Sequence, residues 1–353
     1  MLYRYNFIGN HPLGELNKHL NYFFYKIRGT KSNTSFRPNI YFHRNFVPNI
    51  ENSPELKKKF KAFFDTYKKL DNAKKSTFNN LIISNLRIEN SYEDINYCCI
   101  NIQSDSLIRL LGNNSLHKLM SHLYNTTLKS SRYKIEEHYS LIYNSMPKKV
   151  CPFCGLNRMN KSFQEDYDHL APKSKYPLLA INIKNLAPMC HQCNSKFKNE
   201  IDIFYENNHR RPFAYPYVSV IDIDIDFTGS IIDQTDINNI KGVWSIKITP
   251  ATPINKTWVD VFQIEKRYKA DYLEVDFNDW IDEFIDSLIR DNVKISNKND
   301  VVVQLLLISK SFSSNKLNNC NIIKAPLFKF LADSNLDNFY DSVIFKYNNK
   351  QAA

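Results

Sequence analysis

Two Cys-x-x-Cys pairs, Cys151–Cys154 and Cys190–Cys193, constrain the fold of this chain more than any other feature of its sequence. Each pair brings two sulfurs to one side of a turn, and four thiolates suit one tetrahedral Zn²⁺ ion. Zinc binding contributes on the order of 10 kcal/mol to the folding of small modules of this kind. We therefore expect a structural zinc on these four cysteines. Two unrelated pairs of buried cysteines are the alternative, and the ligand-rich segment between the pairs disfavours it.

Between the two pairs lie residue types that bind cations and move protons. Asp168 and His169 stand together, Asn185 precedes the second pair, and Asn194 directly follows its last cysteine. A neutral imidazole is a suitable base at cellular pH, and carboxylate and amide oxygens are ligands that Mg²⁺ accepts. Taken singly, such residues are more often structural than catalytic. Their joint occurrence inside a zinc frame favours a site that hydrolyses phosphodiester bonds.

The order of these residues also resembles a known family. The pattern C-x-x-C…D-H-x-x-P-K-S…N-L-x-P-x-C-x-x-C-N-x-x-x-K, from Cys151 to Lys198, is similar to the HNH endonucleases, the zinc-stapled branch of the ββα-metal nucleases. The resemblance implies that His169 is the general base and that Asp168 and Asn194 hold a catalytic Mg²⁺ or Mn²⁺. It implies that Asn185 braces the loop that carries His169. Asn194 takes the place of the last histidine in the family pattern.

The same resemblance suggests a biological setting. Lys173-Ser174-Lys175-Tyr176-Pro177 and the long flanking regions resemble HNH proteins of bacterial defence loci, which often act beside an ATPase. The chain has no Walker motif, so an ATP-driven step would require a partner ATPase. One ββα site faces one DNA strand, so cutting both strands would need a dimer or two successive nicks. The oligomeric state, target sequence and trigger are not indicated.

Positive charge is concentrated in the first half of the chain. Residues 1–150 carry 23 Lys and Arg against 11 Asp and Glu, whereas residues 201–353 carry 17 against 21. A basic surface is what binding to a polyanion requires, although solubility alone also explains it. Basic residues near the motif are candidate contacts to nucleic-acid phosphates; they are Arg158, Lys173, Lys175, Lys196, Lys198, Arg210 and Arg211.

The predicted fold is α+β with three regions. Residues 1–147 form a mainly helical, basic region, in which Ser53-Pro54-Glu55 combines an N-cap, a first-turn proline and a first-turn acid. Residues 148–215 form the ββα-metal module. Residues 216–353 form a mixed region, in which Val218–Phe227 alternates apolar and acidic residues as a strand does. Val243–Ile248 is the expected partner of that strand, and helical patterns follow.

Several functional classes are disfavoured by composition. The chain has 7 glycines, and neither a P-loop nor a dinucleotide-binding motif can be written in it. No apolar run approaches the roughly 20 residues that a membrane helix needs, and the N-terminus lacks the pattern of a signal peptide. We therefore expect a cytoplasmic protein with reduced or metal-bound cysteines.

Two alternatives to a DNA nuclease stay open. A zinc module that binds nucleic acid without cutting it would tolerate loss of His169 but not of Cys190. A nuclease directed at RNA is equally consistent with the motif, because phosphodiester chemistry by itself does not distinguish the two sugars.

Overall fold

The computed structural model describes residues 1–85, 87–97, 104–162, 167–233 and 240–352. The fold class is α+β, as predicted, with many helices and small antiparallel strand pairs. The chain forms two compact units. Unit 1 contains residues 3–149 and 159–220, and unit 2 contains residues 150–158 and the C-terminal segment from Ile221.

Unit 1 begins with a helical region. The Ser53 hydroxyl accepts a hydrogen bond from the Leu56 N–H at 3.4 Å, so the predicted N-cap is formed. The helices are α1 (Glu15–Lys26), α2 (Pro38–Tyr41), α3 (Val47–Glu51), α4 (Pro54–Tyr67), α5 (Asn72–Asn85), α6 (Asn90–Glu93), α7 (Ser104–Leu111), α8 (Ser115–His122) and α9 (Ile135–Ser145). A wide helical turn, Leu123–Thr127, continues α8, and short 3₁₀ turns lie at Pro12–Gly14 and Ser131–Tyr133.

Aromatic side chains form the core of this helical region. The Phe23 ring of α1 stacks on Phe42 with centroids 5.1 Å apart and meets the edge of Phe60 at 4.9 Å. Phe24 contacts Phe63 at 5.6 Å in the same edge-to-face manner. These rings are essentially inaccessible to water, and each buried aromatic side chain contributes about 1.5–3 kcal/mol. The spacing of apolar residues in α1 and α4 therefore reflects this core.

The second part of unit 1 contains a short strand pair followed by a wide helical turn. Strand β1 (Tyr167–His169) pairs antiparallel with β2 (Leu186–Pro188), with Asp168 opposite Ala187. Two 3₁₀ turns, Pro177–Leu179 and Ile183–Asn185, lie in the connection. The wide helical turn Gln192–Lys198 follows β2. A two-residue hairpin, β3 (Tyr205–Glu206) with β4 (His209–Arg210), comes next.

Unit 2 combines two strand pairs with a set of helices. Strand β5 (Asp224–Asp226) pairs with β8 (Lys247–Thr249), and β6 (Ile231–Asp233) pairs with β7 (Lys241–Val243). The predicted alternation holds, since Ile221, Ile223, Ile225 and Phe227 are buried, but only Asp224–Asp226 is hydrogen-bonded as a strand. The helices are α10 (Pro253–Phe262), α11 (Ile264–Arg267), α12 (Glu274–Arg290), α13 (Lys298–Ser314), α14 (Asn321–Asp333) and α15 (Asp337–Ala352), and Tyr268–Leu273 is a wide turn between α11 and α12.

Among the described residues, no helix combines the length and the apolar character of a membrane span.

Candidate metal centre and hydrolytic site

The four predicted zinc ligands lie together. Cys151, Cys154, Cys190 and Cys193 are buried and form no disulfide, and their sulfur atoms all lie within 4.8 Å of one another. Tetrahedral zinc with Zn–S bonds of about 2.3 Å requires sulfurs roughly 3.8 Å apart. The donor set and its spacing therefore fit a Zn²⁺ ion, and these four cysteines could hold one.

The first cysteine pair is built on a tight turn. The Cys151 N–H donates to the Asn157 carbonyl at 2.8 Å, and the Gly155 N–H donates to the Cys151 carbonyl at 2.8 Å. Gly155 has a φ of +72°, a conformation that favours glycine. Two side chains of the same unit also donate to this turn. The Trp258 indole donates to the Phe153 carbonyl at 2.8 Å, and the Tyr268 hydroxyl donates to the Cys154 carbonyl at 2.7 Å. No sequence pattern predicted that Trp258 and Tyr268 support this turn.

His169 lies at the end of β1 with one ring nitrogen fixed. Its Nε2 atom is 2.8 Å from the Ala180 carbonyl oxygen. Because a carbonyl only accepts, Nε2 carries the proton in the neutral ring, which leaves the lone pair of Nδ1 as the basic position. Burial lowers the pKa of His169 to about 3, so the ring is neutral at cellular pH. The imidazole is therefore held in the tautomer that a base at Nδ1 requires.

Asp168 is buried beside His169 and forms an ion pair. Its Oδ2 atom lies 2.8 Å from the Lys198 ammonium, which is fully buried. The same ammonium donates to the His169 carbonyl at 2.8 Å. Burial raises the pKa of the Asp168 carboxyl, and the Lys198 charge opposes that rise. Lys198 therefore connects the turn after the second cysteine pair to β1.

This placement corrects the prediction that Lys198 contacts nucleic acid. The side chain is fully buried and its ammonium is engaged by Asp168 and a backbone carbonyl, so a phosphate group cannot reach it. Arg211 is corrected for the same reason, because it is buried and donates to the Asp202 carbonyl. Arg210 is half-buried and donates to the Phe204 and Asp94 carbonyls, both at 3.2 Å.

The remaining predicted contacts lie at the surface. Lys173, Lys175, Lys196 and Arg158 are exposed. Lys175 lines a cleft of about 480 Å³ that also contains Asp105, Glu200 and Asp202. This acidic surrounding is unfavourable for a phosphate at Lys175. Among these four residues, Lys173 lies over the ring of Tyr124, which also packs against His169.

Asn185 is fully buried and hydrogen-bonded through both ends of its amide. Its Oδ1 accepts from the Ala171 N–H at 2.8 Å and from the Tyr92 hydroxyl at 3.0 Å. Its Nδ2 donates to the Ala171 carbonyl at 3.0 Å and to the Leu179 carbonyl at 3.3 Å. Ala171 follows His169 by two residues, and Leu179 precedes the Ala180 carbonyl that His169 contacts. Asn185 thus joins the backbone segments on both sides of the imidazole.

Asn194 is half-buried within the wide turn Gln192–Lys198. Its N–H donates to the Cys190 carbonyl at 3.0 Å, and its carbonyl accepts from the Asn199 N–H at 2.7 Å. The second of these bonds spans five residues, as in a π-helical turn. Asn194 therefore lies on the same turn as Lys198, whose ammonium reaches Asp168.

Tyr124 is a residue of the site that sequence reasoning missed. Its ring meets the edge of the His169 imidazole with centroids 4.4 Å apart. The Lys173 ammonium lies 4.4 Å from the centroid of the Tyr124 ring, and the Lys129 ammonium lies 5.9 Å from it. Tyr124 belongs to the wide turn after α8, far from the motif in sequence, and only its position in the fold brings it to His169.

Comparison with known proteins adds one partial similarity. Part of the chain is 35% identical over 51 residues to the Septu protein PtuB of Bacillus thuringiensis. The match covers 14% of this chain and 20% of that protein. No family model and no solved structure matches the chain. The similarity is thus one of a short segment, not of the whole proteins.

Proposed function

We propose that the protein is a metal-dependent HNH endonuclease that hydrolyses DNA phosphodiester bonds. The observation that carries the proposal is the fixed imidazole of His169. The hydrogen bond from Nε2 to the Ala180 carbonyl leaves Nδ1 as the basic nitrogen. The buried carboxylate of Asp168 precedes His169 in sequence, and His169 lies in sequence between the two cysteine pairs, whose sulfur atoms are close enough to hold a zinc ion.

In the proposed reaction, His169 takes a proton from a water molecule at Nδ1. The water oxygen then attacks the phosphorus atom, and the bond to the 3′ oxygen breaks. Asn185 acts by positioning, because it ties together the backbone segments that hold the imidazole. Tyr124 packs on the ring and limits its rotation.

Asp168 and Asn194 are the proposed ligands of a catalytic Mg²⁺ or Mn²⁺. A carboxylate and an amide oxygen are hard donors of the kind that such ions prefer. The Lys198 ammonium pairs with Oδ2 of Asp168, and an ionised carboxylate has enough lone pairs to bind a cation as well. When bound, the divalent ion would supply positive charge to the phosphate and to the leaving oxygen.

The proposed DNA contacts follow from the exposed cations around His169. Lys173 and Lys129 flank the Tyr124 ring, and Lys196 is exposed on the turn that carries Asn194. Cations next to an aromatic ring suit a sugar-phosphate chain whose bases can stack. Lys173 and Lys196 of the predicted module of residues 148–215, together with Lys129 of the helical region, form the proposed nucleic-acid surface.

A role in anti-phage defence is part of the proposal. The similarity to the Septu protein PtuB agrees with the sequence resemblance to defence-associated HNH proteins. The sequence contains no Walker motif, so we propose that an ATPase partner supplies any ATP-driven step.

A non-catalytic zinc module is the second candidate function. The ion pair between Lys198 and Asp168 favours it, because a buried ammonium already balances the carboxylate at 2.8 Å. Such a protein would bind nucleic acid and leave it intact.

Cleavage assays distinguish the two candidates. Supercoiled plasmid, single-stranded DNA and RNA are incubated with the protein in Mg²⁺, Mn²⁺ or EDTA. We expect His169→Ala to reduce cleavage by about 10²–10⁴-fold while DNA binding and zinc content stay unchanged. His209→Ala is the matched control, because His209 is exposed on the β3–β4 hairpin. Cleavage by His169→Ala at the wild-type rate would contradict the nuclease proposal, and cleavage of RNA alone would correct its substrate.

A further inference from the structure

The helical region of unit 1 contains a cleft that the nuclease proposal does not use. Its volume is about 660 Å³, and its lining consists of Glu15, Lys18, His19, His43, Arg44 and Asn45. Two residues of the lining, Lys18 and Arg44, are permanent cations, against one carboxylate. Among the described residues, neither cation has an ion-pair partner. The cleft therefore has a positive excess available to a ligand.

His19 is the unusual member of this lining. Its side chain is 6% exposed, and neither ring nitrogen has a hydrogen-bond partner in the described part of the chain. The ring stacks on Phe46 with centroids 4.4 Å apart and planes at 14°. Buried polar atoms without partners are uncommon in folded proteins and destabilise them. A ligand that hydrogen-bonds to the imidazole would remove this cost.

His43 provides an aromatic surface at the same cleft. Its exposed imidazole stacks on the Tyr22 ring with centroids 3.6 Å apart, and the Lys26 ammonium lies 5.3 Å from the Tyr22 centroid. A ring pair of this kind can stack against a nucleobase. Cations, an unpaired imidazole and a stacking surface together are the chemical features that recognise a nucleotide.

We propose that this cleft binds the phosphate group of a nucleotide, with Lys18 and Arg44 as its charged contacts and His19 as its hydrogen-bonding partner. The phosphate can belong to a free mononucleotide or to the end of a nucleic-acid strand, since the recognising chemistry is the same. The proposal does not depend on cleavage at His169.

Calorimetric titration of the full-length, zinc-loaded protein tests the proposal. The probes are 5′-AMP, adenosine, and a short single-stranded oligonucleotide with or without a 5′ phosphate. We expect saturable binding of 5′-AMP and weaker or no binding of adenosine. Tighter binding of the phosphorylated oligonucleotide than of 5′-AMP would assign the phosphate to a strand end, and the reverse order would assign it to a free nucleotide. Equal binding of adenosine and 5′-AMP, or no binding of any phosphate probe at millimolar concentration, would overturn the proposal.

Variants locate the binding. Lys18→Gln combined with Arg44→Gln should weaken 5′-AMP binding at least tenfold. The matched control is Lys31→Gln combined with Lys58→Gln, which removes the same charge from exposed positions of the same helical region. Equal weakening in both pairs would mean that only net charge matters and would refute the site.

His19→Phe separates binding from folding. Phenylalanine keeps the stacking on Phe46 and removes both unpaired nitrogens, so we expect nucleotide binding to be lost while the Tm is equal to or above that of the wild type. Retention of full nucleotide affinity in folded His19→Phe would exclude a role for this imidazole. If His19→Phe does not fold, the two charge variants decide the proposal.

Discussion

Around His169, buried polar groups are joined to one another, whereas around His19 they are left without partners. Asn185 forms four hydrogen bonds, Lys198 pairs with Asp168, and His169 donates to a carbonyl. In the cleft, neither ring nitrogen of His19 has a hydrogen-bond partner among the described residues. Lys18, which lines the same cleft, is exposed. Both regions belong to unit 1.

The difference shows two ways to prepare a polar site. A hydrogen-bonded network fixes the orientation and protonation of a few groups before any ligand arrives, which suits chemistry on a substrate. A set of unpaired groups has a cost that ligand binding can remove, which suits recognition. Equal substitutions in the two regions should therefore have unequal effects on the free energy of unfolding.

Loss of a zinc ligand should have the largest effect. Cys193→Ser removes one of four sulfurs that lie within 4.8 Å of one another, and metal binding contributes on the order of 10 kcal/mol in small zinc modules. We expect loss of the single zinc equivalent and loss of amide protection in residues 167–198. Cys320→Ser is the control, because Cys320 lies outside the cluster. Full zinc content in Cys193→Ser would show that this cysteine is not a ligand.

Lys198→Met should destabilise the protein by about 3–5 kcal/mol, because it leaves the Asp168 carboxylate buried without its cation. Lys18→Met, the same change in the cleft, should alter the free energy of unfolding by no more than about 0.5 kcal/mol. Urea unfolding of both variants measures the contrast. Similar values for the two would mean that the Lys198 ion pair does not support the fold.

Asn185→Ala should cost about 2–3 kcal/mol, since it leaves the Ala171 N–H without its acceptor and removes one acceptor of the Tyr92 hydroxyl, which also lies 3.4 Å from the Lys184 carbonyl. It should also reduce cleavage, because the backbone at Ala171 and Leu179 loses its hydrogen bonds to Asn185. Asn45→Ala in the cleft removes an exposed side chain and should leave the Tm unchanged. Thermal unfolding of the two variants provides the comparison. An unchanged Tm in Asn185→Ala would contradict the proposed positioning role of Asn185.

Acid should affect the two regions through different histidines. Burial lowers the pKa of both His19 and His138 to about 4, below the unfolded value of about 6.5. The unfolded chain therefore binds more protons between these values, so stability is full above pH 6.5 and falls as the pH drops toward 4. His138 has partners, the Tyr167 hydroxyl and the Ile8 carbonyl, whereas His19 has none among the described residues.

Replacing either histidine should flatten this pH dependence, and only one replacement should cost stability at neutral pH. His138→Phe leaves the Tyr167 hydroxyl unpaired and should be destabilising at pH 7, whereas His19→Phe should not. Unfolding free energies at pH 7 and pH 5 provide the measurement. An unchanged acid sensitivity in both variants would show that these histidines do not account for it.

The sequence predicted the parts of the fold that depend on neighbouring residues. The N-cap at Ser53, the helices of residues 1–147 and the burial alternation from Ile221 to Phe227 all follow from local spacing and capping chemistry. The four cysteines were found for a similar reason, since two short repeats of one residue type are visible without any structure. The order of Asp168, His169, Asn185 and Asn194 gave the candidate site in the same way.

Burial and long-range proximity were decided by the tertiary structure alone. Lys198 and Arg211 look like surface cations in the sequence, and only packing shows that each is buried. The ring centroids of Tyr124 and His169 lie 4.4 Å apart although 45 positions separate the two residues. The buried His19 ring stacks on Phe46 and has no hydrogen-bond partner among the described residues. A sequence fixes which groups are present and how close neighbours are arranged, but the dielectric surroundings and partners of a side chain depend on which distant segments fold against it.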